Sequence, residues 1–184
     1  MSPGELTGNF GKWVDSYVKE KGLEYKVYYD HGKKGLENVG KINGIVGSEL
    51  SRVNNLAQVD ILVVDKSGGI NLIIEIEEGS SPNPKKVIGV VFSIILCNRF
   101  SFGKKHNRKC FKIAPETQLI FAGFTNPKGV KKQKFLEVIT PRMNEMKAPS
   151  DSIRLENISF VFEDDWDLTS KALERKVKTI LSSP

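Results

Sequence analysis

A chain of 184 residues, 39% of them hydrophobic, is long enough for one sizeable core, and its longest apolar run, Val87 to Cys97, is broken by Gly89 and Ser93 and too short to span a bilayer. Two cysteines, Cys97 and Cys110, exclude a disulfide framework and fit no metal-ligand spacing. With no basic-then-apolar leader, the expectation is a soluble, cytoplasmic protein. The net charge of +6 favours polyanionic partners.

Phe10, Trp13, Val14, Tyr17 and Val18 recur at helical spacing and predict an amphipathic helix over 8–21, ended near Gly22. Glu24 to Tyr29, rich in Tyr and Val, reads as a strand, followed by a Gly- and Lys-rich loop through about Gly47. Two apolar runs come next, QVDILVVD (58–65) and INLIIEIE (70–77), joined by Lys66-Ser67-Gly68-Gly69. Apolar residues alternate onto both of their faces, with Val59, Ile61 and Val63 on one and Leu62, Val64 and Ile73 on the other. That pattern predicts a sheet covered by helices on both sides. Asn83 and Pro84 open a helix running to about Asn98, apolar on most of its circumference and therefore expected to be buried. A strand over 117–122, a helix over 129–147 divided at Pro141, a strand over 158–162 and a helix over 168–181 complete the order α-β-β-β-α-β-α-β-α. No linker suggests a second domain, so residues 1–184 are read as a single α/β domain with mixed strand directions.

The register of the hairpin carries the chemistry. A two- or four-residue loop makes paired residue numbers sum to 135, which sets Asp60 opposite Glu75 with their Cβ atoms about 5 Å apart. Alternation adds Glu77 to the same face. Facing carboxylates repel unless a cation lies between them, and a hard divalent ion such as Mg²⁺ or Mn²⁺ takes carboxylate oxygens in this way. An odd-numbered loop would turn Asp60 to the other face.

These residues and this element order resemble the PD-(D/E)xK nuclease superfamily, the restriction-endonuclease-like fold. Val59-Asp60 stands where Pro-Asp would be, and Glu75-Ile76-Glu77 stands where Glu-x-Lys would be, with Glu77 in place of the lysine. The resemblance implies an α-β-β-β-α-β core over about 8–122, a mixed central sheet with helices on both faces, and leaves about 125–184 as an α-β-α extension. It also implies a Mg²⁺- or Mn²⁺-dependent nuclease, expected to be an endonuclease acting on DNA. Asp60, Glu75 and Glu77 would be metal ligands, and Glu49 the candidate for an extra upstream acidic ligand, with Glu5 a weaker competitor. Lys85 or Lys86, on the following helix, would replace the motif lysine at the scissile phosphate. Many members act as dimers, but no exposed apolar stripe in the sequence marks an interface, and a homodimer stays open.

Each candidate has a plain structural alternative. Glu77, Glu78 and Gly79 could be the solvated end of a strand, and Lys85 and Lys86 could simply face solvent in the first turn of a helix, where the dipole disfavours cations. Asp60 and Glu75 lie between apolar neighbours, where an inward charge needs a partner or a metal. The basic clusters, above all Lys104, Lys105, Arg108 and Lys109 and the run holding Lys131 and Lys132, are either solvated surface or contacts to nucleic-acid phosphates. A non-catalytic nucleic-acid-binding domain that keeps the fold is the alternative function.

Overall fold

A computed structural model describes residues 4–47, 51, 54–79, 84–103, 107–124 and 152–182. The expected helix over 129–147 lies outside them, as do Glu49, Lys104, Lys105, Lys131 and Lys132.

Two sheets lie among the described residues. The first has five strands in the order β1 (Tyr25–Tyr29), β4 (Ile61–Asp65), β5 (Ile70–Glu77), β8 (Gln118–Phe124) and β9 (Ile158–Glu163). β4 runs antiparallel to both neighbours, while β5, β8 and β9 run parallel. The second has four antiparallel strands in the order β3 (Asn55–Val59), β2 (Ile42–Ile45), β6 (Arg99–Phe102) and β7 (Lys109–Lys112).

Helix α1 (Glu5–Glu20) and the closing helix α3 (Trp166–Leu181) cover one face of the five-stranded sheet. Phe10, Val14, Val18, Leu173 and Val177 pack there on Ile61, Val63, Leu72, Ile74 and Ile120. Helix α2 (Pro84–Leu96) and the second sheet cover the other face, where Val87, Val91, Ile94, Phe100 and Phe102 meet Leu62, Val64, Ile73, Leu119 and Phe121. The mixed sheet clothed on both faces therefore stands.

Four details differ from the sequence reading. The run 58–65 is two strands in two sheets, because the chain bends at Asp60; Val59 accordingly packs with Leu62 and Val64 rather than with Ile61 and Val63. The stretch read as a loop through Gly47 contains β2, and the basic loop belongs to the β6–β7 hairpin. Helix α1 starts at Glu5, earlier than its apolar repeat, because Glu78 reaches it from the end of β5: Gly4 N–H donates to Glu78 Oε2 and Thr7 N–H to Oε1, each at 2.8 Å. Helix α2 is not buried all round, since Ile88, Phe92 and Leu96 are each between 41% and 43% exposed.

Candidate functional site

The β4–β5 loop is odd, not even. Asp65 N–H donates to Gly69 O at 2.9 Å and Gly68 N–H to Asp65 O at 3.2 Å, which leaves Lys66, Ser67 and Gly68 as a three-residue loop. Gly68 takes φ +88°, the left-handed conformation that such a loop demands at its third residue. Alone, this loop would have turned Asp60 away from Glu75. A bulge corrects it: Val64 pairs with Ile70, but Val63 pairs with Leu72, so Asn71 is extra. Beyond the bulge Ile61 pairs with Ile74, and the register sum of 135 is restored towards Asp60 and Glu75.

At Asp60 the backbone ladder gives way to side chains. On one side its carbonyl accepts Asp30 N–H at 2.8 Å, extending the β1–β4 ladder. On the other, Ile76 N–H donates to Asp60 Oδ2 at 2.7 Å. The Asp60 carboxyl is thus tied to the end of β5, beside Glu75, where the strands part. Ile73 lies in the core under α2, so alternation directs Glu75 and Glu77 to that side as well.

Both carboxyls resist ionisation. Burial is the main cause for Asp60, raising its pKa to about 7 against the help of the Ile76 amide and His31; the charges of Asp30 and Glu78 push it further up. Burial also raises Glu75 well above the ordinary glutamate value, followed by the charges of Asp60 and Glu77, while the Asp60 amide and Lys86 act the other way. Glu75 Oε2 is buried with no hydrogen-bond partner among the described residues. An orphaned carboxylate oxygen beside a second acid fits a hard cation, whose charge would relieve both.

Lys86 reaches the site from the first turn of α2 and pairs with Glu77 at 2.5 Å; both Lys85 and Lys86 are exposed. Among the described residues no three His, Cys, Asp or Glu side chains converge as a metal-holding group. The site consists of an Asp60–Glu75 pair flanked by a Glu77–Lys86 ion pair. Arg108 and Lys109 lie away from it at the start of β7, where Lys109 Nζ is 3.4 Å from Glu37 and 5.3 Å from the centre of the Tyr28 ring.

Two neighbours were not read from sequence. Glu78, opposite in alternation to Glu77, caps α1 through contacts more than 70 residues long, which no local pattern reveals. His31 takes φ +59° beside the site, with Nε2 3.8 Å from Asp30 Oδ2, and nothing in the local sequence marks it.

The chain matches no protein-family model, and neither curated proteins nor solved structures provide a match. Among the described residues no helix is long and apolar enough to cross a membrane.

Proposed function

We propose that this protein is a divalent-metal-dependent nuclease that hydrolyses phosphodiester bonds, with DNA as the substrate and endonucleolytic cleavage as the mode. The observation that carries the reading is the buried, partnerless Oε2 of Glu75 beside Asp60, two acids that both disfavour their charge as they stand. Topology supports it. With the second sheet set aside, the chain runs α1-β1-β4-β5-α2-β8, and β4 is antiparallel to its neighbours in the order β1-β4-β5-β8. That is the core order that the resemblance implies.

Asp60 and Glu75 would hold Mg²⁺ or Mn²⁺. Bound there, the ion supplies Lewis acidity at the phosphate and a water acidified towards neutral pH. Asp60 keeps its position through the Ile76 amide, so its carboxylate needs no reorganisation when substrate arrives. Glu77 lies on the same face and serves as acceptor for the proton of the attacking water. Lys86 holds Glu77 in the free protein and turns its charge to the phosphate in the complex.

The ion pair also favours a second reading. With Glu77 neutralised by Lys86, the protein would bind nucleic acid without cutting it. Supercoiled plasmid separates the two: nicking in Mg²⁺ or Mn²⁺ that stops in EDTA and in Glu75→Gln is the expected result. Cleavage retained by folded Glu75→Gln would refute the site, and binding without nicking in either metal would establish the second reading.

A further inference from the structure

We infer that the second sheet carries a phosphate-binding cleft in line with Asp60, which seats one nucleotide of a nucleic-acid strand a few nucleotides from the bond to be cut. This rests on the nuclease reading for its direction, but not for the cleft itself.

The cleft, of about 860 Å³, opens where the segment 37–41 meets the β6–β7 hairpin. Among the described residues its polar lining is Lys41, Arg108, Lys109, Asn43 and Asn107, with Glu37 as the one acid. Glu37 is spent on Lys109 at 3.4 Å and is itself 92% exposed. Among the described residues Lys41 and Arg108 have no carboxylate partner, so two uncompensated cations and two side-chain amides converge on one concavity. That chemistry suits a phosphodiester oxygen and the polar edge of a sugar or base. A volume of this size takes a nucleotide unit rather than a double helix.

The strand registers tie the cleft to the carboxylates. Ile42 pairs with Val59 on one side and with Phe102 on the other, and Phe102 pairs with Lys109. Asp60, Lys41, Gly103 and Arg108 each adjoin these paired residues, so all four flank the same end of the four-stranded sheet, one to each strand in the order β3, β2, β6, β7. Asp60 is also the bend at which the chain passes into the five-stranded sheet, so the row starts at the acid pair and ends in the cleft. Three strand spacings separate its ends, roughly 14 Å. Lys41, next to Asp60 in the row, offsets the repulsion that an anionic strand meets on approaching the two acids. Arg108 holds the strand beyond. Gly103, at φ +97°, has no side chain to block the path between them, and a Cβ there would lie 2.8 Å from Asn107 O.

The test is binding of a fluorescein-labelled single-stranded DNA oligonucleotide to the full chain in EDTA, where no metal-dependent cutting occurs. Lys41→Ala with Arg108→Gln should weaken binding about tenfold, and the slope of log affinity against log salt should fall by about 1.4 for two lost phosphate contacts on a single strand. Lys171→Ala with Arg175→Gln removes two exposed charges from α3, on the far side of the five-stranded sheet, and should leave both quantities unchanged. The single variants, each expected to give half the change in slope, stand in if the double variant melts early. Equal affinity and slope in the cleft variant, an equal loss in the α3 variant, or no binding by the wild-type chain would each overturn the cleft. Plasmid nicking with cleft variants that bind normally would leave the nuclease standing without the cleft, and cleft-dependent binding without nicking would leave the cleft standing without the nuclease.

Discussion

Two aspartates bracket β4, Asp60 just before it and Asp65 at its end, and the protein treats them in opposite ways. Asp65 sits in the turn, where its Oδ1 accepts Ser67 N–H and Ser67 O–H at 2.7 Å and Gly69 N–H at 2.9 Å. The Ser67 hydroxyl and the turn amides hold its carboxyl below the usual aspartate value. Asp60, just before the strand, receives one amide, is half-buried beside Glu75, and is pushed up to about 7. Asp65 has what a structural carboxylate needs, and its charge stabilises the fold. Asp60 is kept short of partners at a corner where a neutral side chain would suit the fold better, which is the arrangement expected of a group retained for chemistry.

The sharpest way to separate the two ends is pH. Folded Asp60 keeps a proton up to about pH 7, whereas the unfolded chain releases it near the ordinary aspartate value of 3.8. The folded state therefore binds more protons across that window, and stability falls as pH rises through it. In EDTA the protein should lose on the order of a few kcal/mol between pH 4 and pH 7.5 from this pair, read as a falling Tm. Asp60→Asn should flatten that fall, and Mg²⁺ should offset it at the upper end. A Tm rising steadily to pH 7.5 in EDTA would show that the corner acids are not strained.

Asp65→Ala is expected to act in the other direction and less strongly. It removes three hydrogen bonds from an exposed turn and should cost roughly 1–2 kcal/mol at pH 7, with plasmid nicking unchanged. Because the native pKa is lowered, the contribution of Asp65 is complete above the ordinary aspartate value and fades as pH drops below it towards the lowered native value, so wild type and variant should draw together in denaturant melts as the solution is acidified through that range. A variant that lost nicking with its fold intact would blur the distinction between the two ends.

The smallest effect on stability belongs to Lys86→Ala. Its partner Glu77 is well shielded, but the lysine is 59% exposed, so the ion pair should contribute less than about 1 kcal/mol. Nicking should nevertheless drop steeply in the same protein, since the charge meant for the phosphate is gone. Equal nicking by Lys86→Ala would restrict the lysine to holding Glu77.

Periodic elements were legible from the sequence. Phe10, Val14 and Val18 marked α1, Leu173 and Val177 marked α3, and the alternation in β4 and β5 gave a sheet covered on both faces. The second sheet was not legible, because β2, β6 and β7 are four residues each, too short for a period to show, and the β2–β6 pairing that joins them is distant in sequence. The pairing of Asp60 with Glu75 was inferred through a wrong intermediate. The turn is one residue off the expected parity, and Asn71 cancels the error. Nothing in INLIIEIE announces that bulge, since Asn71 lies between apolar residues that are buried on either register. Lys86 was legible as a candidate; that it rather than Lys85 meets Glu77 depends on how α2 is rotated over the sheet.

Glu78 gives the molecule a property that neither the sheet nor the acid pair has alone. Its carboxylate clasps the first turn of α1 at the Gly4 and Thr7 amides, and its backbone directly follows Glu77. The end of β5 cannot shift without loosening that clasp. The amide protons of Gly4 and Thr7 are therefore a natural gauge of the strand end, readable by solvent exchange in a segment remote from the carboxylates in sequence, and the N-terminal helix is the first element to feel any strain placed on them.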